Sequence, residues 1–201
     1  SIKTQIDVNL PGRLFQSLKT NLKYINFRGT DVFGKHYQIE ELVSLILKRC
    51  KNTAENYVSN DIDVAVLGRP ILFSTDNFED EIAERRLRNA ALIAGFKDVV
   101  FFYEPVAASI EYISTASSKD QLVMVVDIGG GTCDVCIMKF EAADTLEERL
   151  KHSTILSVSG DTVAGDMIDK EVIRKKLFHY FGEKVRYGPA RLPLPKNILN
   201  V

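Results

Sequence analysis

"VMVVDIGGGTCDVCIMKF", Val123 to Phe140, sets three consecutive glycines between two apolar runs, with Asp127 just ahead of them. Glycine beside a strand is entropically unfavourable, so the run predicts that something approaches the backbone closely there. Leu122–Val126 forms the body of an apolar strand ending at Asp127, and the residues after Thr132 read as the strand that returns. Gly129, Gly130 and Gly131 lack a Cβ, so their N–H groups can gather around an anion in a concave nest, and Thr132 adds a hydroxyl donor. A carboxylate beside a bare phosphate repels it. Mg2+ resolves the conflict, because it takes one or two carboxylates plus phosphate oxygens and keeps several waters. The stretch therefore predicts a phosphate hairpin with a metal-side aspartate. A glycine-rich turn without a ligand is the alternative.

Two better-known phosphate motifs do not fit. A dinucleotide fingerprint needs G-x-G-x-x-G opening a helix; here its third glycine position is Asp134, and a strand follows. A Walker A loop needs a lysine before its Ser/Thr, and Thr132 follows Gly131. A second carboxylate strengthens the phosphate reading. Glu104 directly follows the apolar run Val99–Tyr103, at a strand's C-terminal end, where open α/β sheets place ligands. Its alternative is a helix-start carboxylate favoured by the helix dipole. Two strand-end carboxylates plus a glycine nest suit activation of water against a phosphoryl group.

The 201 residues are 45% hydrophobic and 26% charged, enough for one large domain or two small ones. A formal net charge of -1 gives no basic field for nucleic acid or an anionic membrane. No apolar run has the length of a membrane helix, and Ser1 onward shows no signal-peptide pattern. Three cysteines, Cys50, Cys133 and Cys136, argue against a disulfide framework and for a reducing, cytoplasmic setting. Cys133 and Cys136 form a C-x-x-C pair, but on a strand such residues point to opposite faces, which favours packing over metal or redox chemistry.

Along the chain, Gln38–Val58 predicts a helix with Ile39, Leu42, Leu45, Ile46 and Cys50 on one stripe. Val64–Leu67 predicts a short buried strand stopped by Gly68 and Pro70. Glu79–Ala94 predicts a helix with Ala83, Leu87, Ala90, Ala91 and Ala94 on one face and Gly95 as its stop. The basic cluster Arg85, Arg86 and Arg88 on that helix reads as a solvated face. Val99–Tyr103 predicts a strand covered on both sides, followed by a helix opening at Pro105. Ser114–Gln121 is polar and aperiodic, a boundary between two lobes. Glu141–His152 reads as a variable charged segment and Thr154–Gly160 as a strand. A helix N-capped by Asp166 carries Ile168, Val172, Ile173, Leu177, Phe178 and Phe181 to Gly182. The proline-rich tail after it reads as irregular.

With these blocks in order, the sequence resembles the seventy-kilodalton heat-shock chaperones of the actin-like ATPase superfamily. "DVAVLGRPILF" is similar to that family's strand ending in a proline. "RRLRNAALIAGFKDVVFFYEPVAASIEY" is similar to its helix, strand and Glu-Pro-x-Ala-Ala helix start. "VVDIGGGTCDV" resembles its second phosphate motif, Asp-Ile/Leu-Gly-Gly-Gly-Thr-x-Asp, and "SGDTVAGDMIDKEVI" its Gly-Asp-Thr strand end with the next helix. "LPGRLFQSLKTNL", "TDVFGKHY" and "LPLPKNIL" look like a divergent bacterial branch of chaperone-like members.

The resemblance implies an α/β, actin-like ATPase (ribonuclease H-like) fold, partial, with pieces of both lobes: residues 1–116 in lobe I and 117–201 in lobe II. It implies ATP or ADP with Mg2+ as ligands, and an ATPase whose hydrolysis toggles lobe closure. Client polypeptides and co-chaperones would be reached through the parent protein. Asp127 would stand on the Mg2+ side, acting through bound water, and Glu104 would position the attacking water or the metal. Gly129, Gly130, Gly131 and Thr132 would hold the β- and γ-phosphates. Gly160, Asp161, Gly165 and Asp166 would lie towards the nucleoside, and Pro70 matches a proline that couples nucleotide state to the peptide-binding domain.

The departures are Tyr103 where the family has Asn, Ala164 in its Gly-Gly pair, and Glu84 near its signalling arginine. The first phosphate hairpin, Asp-x-Gly-Thr-Thr, and a lysine near the phosphates are missing. The chain thus resembles an internal fragment cut at both ends, with weak or no ATP turnover expected. A sugar kinase or filament-forming relative, and a nucleotide sensor that does not hydrolyse, are the alternatives.

Overall fold

The computed structural model describes residues 15, 17–115, 119–182 and 185–193. Its elements in chain order are α1 (Leu18–Asn21), β1 (Gly29–Val32), β2 (Lys35–Gln38), α2 (Ile39–Val58), β3 (Val64–Arg69), α3 (Asn77–Ile93), β4 (Asp98–Tyr103) and α4 (Glu104–Thr115). After these come β5 (Gln121–Ile128), β6 (Cys133–Phe140), α5 (Leu146–Lys151), β7 (Thr154–Asp161) and α6 (Gly165–Val172), which continues as a π-helical turn over Ile173–Leu177. A two-residue ladder, β8 (Arg186–Tyr187) with β9 (Leu192–Pro193), stands where the sequence predicts an irregular tail. The tail beyond residue 193 lies outside the described residues, as do residues 116–118 of the polar boundary segment.

The first half is built on two packed helices. α2 opens with a reciprocal capping box in which Gln38 N–H donates to Glu41 Oε2 at 2.7 Å. α3 starts one turn's cap earlier than the apolar pattern predicts, because Asp76 accepts the Glu79 N–H at 3.0 Å. It ends at Gly95, whose φ of 101° is the left-handed conformation a helix stop requires. Their shared core holds Leu22, Ile39, Val43, Phe73, Ala83 and Ala90, with Leu47 and Leu87 packed against it. The alanine face of α3 is as predicted. The stripe on α2 is not: Leu45, Ile46 and Cys50 are exposed, and the buried line runs through Ile39, Leu42 and Val43 instead. A 3.6-residue period leaves the choice between neighbouring positions to the partner helix, and α3 sits on the Val43–Leu47 side.

The basic cluster on α3 is not a solvated face either. Arg86 donates to the carbonyls of Leu22 and Tyr24, both at 2.9 Å, and Arg88 to that of Val99 at 2.9 Å. These guanidiniums are committed to backbone carbonyls of other segments, leaving Arg85 exposed.

β3 and β4 pair in parallel, with Gly68 opposite Phe102 and Arg69 opposite Tyr103. The sequence predicts strands buried on both sides, but only one face is covered. Ala65 and Val99 are buried, whereas Val66 is 69% exposed and Val64, Val100 and Phe102 are exposed too.

The second half is an antiparallel sheet in the order β5-β6-β7. β6 is central and alternates, with Asp134, Cys136, Met138 and Phe140 inward. α4 packs on that face, so Val106 and Ile113 join Cys136, Met138 and Phe140 in a second core. Cys133 and Cys136 lie on opposite faces of the strand, as three-residue spacing dictates. Burial pushes the Cys136 thiol up, which keeps it protonated and unreactive at neutral pH. The charged segment 141–152 contains a helix the sequence reading did not resolve: α5, N-capped by Thr145, which accepts from Glu148 N. The apolar face predicted after Asp166 is uncovered, since Ile168, Val172, Leu177 and Phe181 are all exposed.

Candidate functional site

The two cores meet at a cleft of about 280 Å³. Glu104, Asp127, Gly129, Gly130, Gly131, Thr132 and Asp166 line it. Gly165 packs directly beneath, and Gly160 and Asp161 lie outside the lining. Asp161 is engaged in its own turn, where its carboxylate accepts the Val163 N–H at 2.9 Å.

The hairpin from β5 to β6 closes between Ile128 and Cys133, leaving Gly129–Thr132 as its tip. Gly129 N–H donates to Thr132 O at 2.9 Å and closes the turn. None of the three glycines has a positive φ. Their lack of side chains answers to close approach instead. A Cβ on Gly130 would stand 3.1 Å from Asp166 Oδ1, and one on Gly131 would stand 3.0 Å from Thr20 Oγ1.

The tip's carbonyls are fixed by the first turn of α6. Gly165 N–H donates to Gly129 O at 3.0 Å, and Asp166 N–H to Gly130 O at 2.8 Å. This also explains why Asp166 is not the N-cap. Ala164 holds that position, and Asp166 is inside the helix with its amide committed to the hairpin. A trans peptide points its N–H opposite its C=O. Tying down the carbonyls of Gly129 and Gly130 therefore turns the next two amides, Gly130 N–H and Gly131 N–H, away from α6. With Thr132 N–H, they have no hydrogen-bond partner among the described residues. Such a row of free amides could receive an anion.

Glu104 opens α4 directly after β4, and its side chain fits over Gly68, where a Cβ would meet Glu104 Cγ at 3.1 Å. Across the cleft, Lys19 Nζ donates to Glu104 Oε1 at 2.6 Å. Lys19 and Lys23 of the Ser17–Lys23 segment both line the cleft, and the sequence reading singled out neither. The same segment brings Ser17 to Asp166, with Oγ donating to Oδ2 at 3.3 Å. The signal lay in "SLKTN", but an ion pair between residues 85 apart in sequence leaves no local pattern.

The side chains lining the cleft carry two ammonium and three carboxylate groups, an excess of one negative charge. Side-chain charge alone therefore gives the cleft no net attraction for an anion. No group of three or more His, Cys, Asp or Glu could cage a metal among the described residues. Mg2+ is usually held by one or two carboxylates, phosphate oxygens and water; Asp127, near the end of β5 and lining the cleft with the glycine tip, is a carboxylate that could hold it.

One acidic residue of the hairpin motif was given no role in the sequence reading. Asp134, the last residue of Asp-Ile-Gly-Gly-Gly-Thr-x-Asp, is buried and accepts the Ile71 N–H at 2.8 Å. Two departures from the family pattern converge on Arg69. Its guanidinium pairs with Glu84 and lies 5.7 Å from the centroid of the Tyr103 ring.

No helix among the described residues is long and apolar enough to cross a membrane. A sequence model of the family described as "Hsp70 protein" matches residues 11–186.

Proposed function

The chain belongs to the Hsp70 family and carries part of that family's actin-like ATPase fold; on that premise we propose how its cleft handles ATP. The family is one of ATP-binding, chaperone-like domains. In the proposed reading the β- and γ-phosphates rest on the free amides of Gly130, Gly131 and Thr132. Asp127 holds Mg2+ through water, and the ion would neutralise charge on the phosphate oxygens. Lys19 carries the positive charge nearest the water side. Glu104 orients the water that attacks the γ-phosphoryl group in line, giving ADP and phosphate. Catalysis of this kind is mostly positioning and charge stabilisation. Nucleotide state would then set lobe closure and, through the parent protein, the handling of client polypeptides with co-chaperones. Residues 1–116 and 117–201 would supply pieces of the two lobes, with α4 packed at their joint.

The observation that carries this reading is the Gly129–Thr132 tip. The carbonyls of Gly129 and Gly130 are pinned to α6, and the amides of Gly130, Gly131 and Thr132 have no partner among the described residues, in the cleft that also holds the Lys19–Glu104 pair. No Asp-x-Gly-Thr-Thr sequence occurs in the 201 residues. Turnover by these residues alone is accordingly expected to be weak or absent.

Calorimetry tests the proposal. ATP binding should strengthen on adding Mg2+ by about tenfold, equivalent to one charge-assisted contact of about 1.4 kcal/mol. Asp127→Asn should remove that gain and leave metal-free binding unchanged. Equal affinities with and without Mg2+ in the wild-type chain would contradict the assignment of Asp127.

A further inference from the structure

Among the residues of α5, only Arg149 is buried, at 3% exposure. A charged side chain on a short surface helix ordinarily points outward, and a guanidinium taken out of water must be hydrogen-bonded. The partners of Arg149 belong to α4 and to the chain entering β5. Its Nη1 donates to Ile113 O, in the last turn of α4, at 3.2 Å. Its Nη2 donates to Lys119 O at 3.3 Å and reaches Oε1 of Gln121, the first residue of β5, at 3.5 Å. The planar fork of an arginine can serve such separate acceptors at once.

Two further contacts fasten the same segment. At its entry, Ala142 N–H donates to Asp120 Oδ1 at 2.6 Å. Beside Arg149, Leu150 packs against the core that contains Ile113. The segment between β6 and β7 therefore clasps the end of α4 to the start of β5. Both elements have their other ends at the cleft: α4 begins with Glu104, and β5 carries Asp127 next to its last residue. The helix from Ile113 to Glu104 spans about 14 Å, so a tilt of about 5° at the clasp would move Glu104 by about 1 Å. A misplacement of about 1 Å can lower a rate by about a hundredfold.

We propose that Arg149 is a positioning residue, remote from the cleft, that fixes Glu104 relative to Asp127 by clasping α4 to β5. The inference rests on the nucleotide reading above and extends it to a segment that has no part in that reading. Arg149 does not line the cleft. Asp127 and the phosphate amides belong to one hairpin, so they keep their mutual geometry when the clasp opens, whereas Glu104 moves. The signature is a loss of turnover with nucleotide affinity kept.

Amide hydrogen exchange in the full-length protein, without nucleotide, is the first arm of the test. Arg149→Met keeps an apolar stem and removes the fork. It should speed exchange of the Ser114 and Thr115 amides, in the last turn of α4, by about tenfold or more. Asp120→Ala opens the clasp from its other end and should speed the same two amides; this variant serves if Arg149→Met does not fold. The second arm is ATP turnover by the same protein. Either variant should lower kcat by about tenfold with KM for ATP within about threefold. Unchanged exchange at Ser114 and Thr115 overturns the clasp. Faster exchange with kcat unchanged, or a KM that rises as steeply as kcat falls, overturns the positioning role. A wild-type protein that neither binds nor hydrolyses ATP sinks the nucleotide reading instead, and the exchange arm still decides whether Arg149 holds α4 to β5.

Discussion

Single residues in this molecule act mainly through what they leave room for and what they terminate. Gly68, Gly130, Gly131 and Gly160 each face a functional or buried side chain within 3.1 Å of where a Cβ would stand. Glycine at these places has little to do with backbone torsion. Glu55 shows the terminating role. Its carboxylate accepts the Ile62 N–H at 2.9 Å, at the turn into β3, and pairs with Lys51. The Ile62 N–H first, and then the Lys51 ammonium, hold its carboxyl below the ordinary glutamate range. A depressed folded-state value means the contact contributes fully above the unfolded-state pKa and is lost as pH falls through the folded one. Protection of the Ile62 amide, corrected for the intrinsic pH dependence of exchange, should therefore hold at neutral pH and be lost only in acid below the ordinary glutamate range. Glu55→Gln should flatten that profile. A profile identical to wild type in the variant would show that another group governs the turn.

Elements whose signals are local were legible in the sequence. The hairpin was readable because Asp127, the glycines and Thr132 state its chemistry within six residues. α3 was readable because alanines repeat at helical spacing and Gly95 stops them. Its true start at Asp76 follows from the cap bond to Glu79 N. Asp76→Ala should lower stability by about 1 kcal/mol in urea unfolding, with the slope of the transition unchanged. What failed was what depends on a distant partner. The side of α2 that is buried is chosen by α3. The roles of Arg86 and Arg88 are set by carbonyls of other elements. Lys19 gains its place only from Glu104. Asp166 looked like a cap because it precedes an apolar period, yet the hairpin had already claimed its amide.

At the scale of the whole molecule, two small cores share one seam, and most of the proposed chemistry lies along it. Lys19 comes from the segment packed on the first core and Glu104 from the junction of β4 with α4; the three-stranded sheet presents Asp127 and the glycine tip. Asp134–Ile71 and Ser17–Asp166 span the seam as hydrogen bonds. The fold class was legible as a whole because motifs of both halves occur in order. The covering of the sheets was not, since Val66, Val100, Leu122 and Met124 are apolar and yet exposed. The central claim is that the Gly129–Thr132 tip receives phosphate. Titration of the isotope-labelled chain with Mg·ATP, with adenosine as control, tests it most directly by amide NMR. The account predicts that Gly130, Gly131 and Thr132 show the largest shifts with Mg·ATP and none with adenosine. Shifts elsewhere with those three amides unmoved would contradict it.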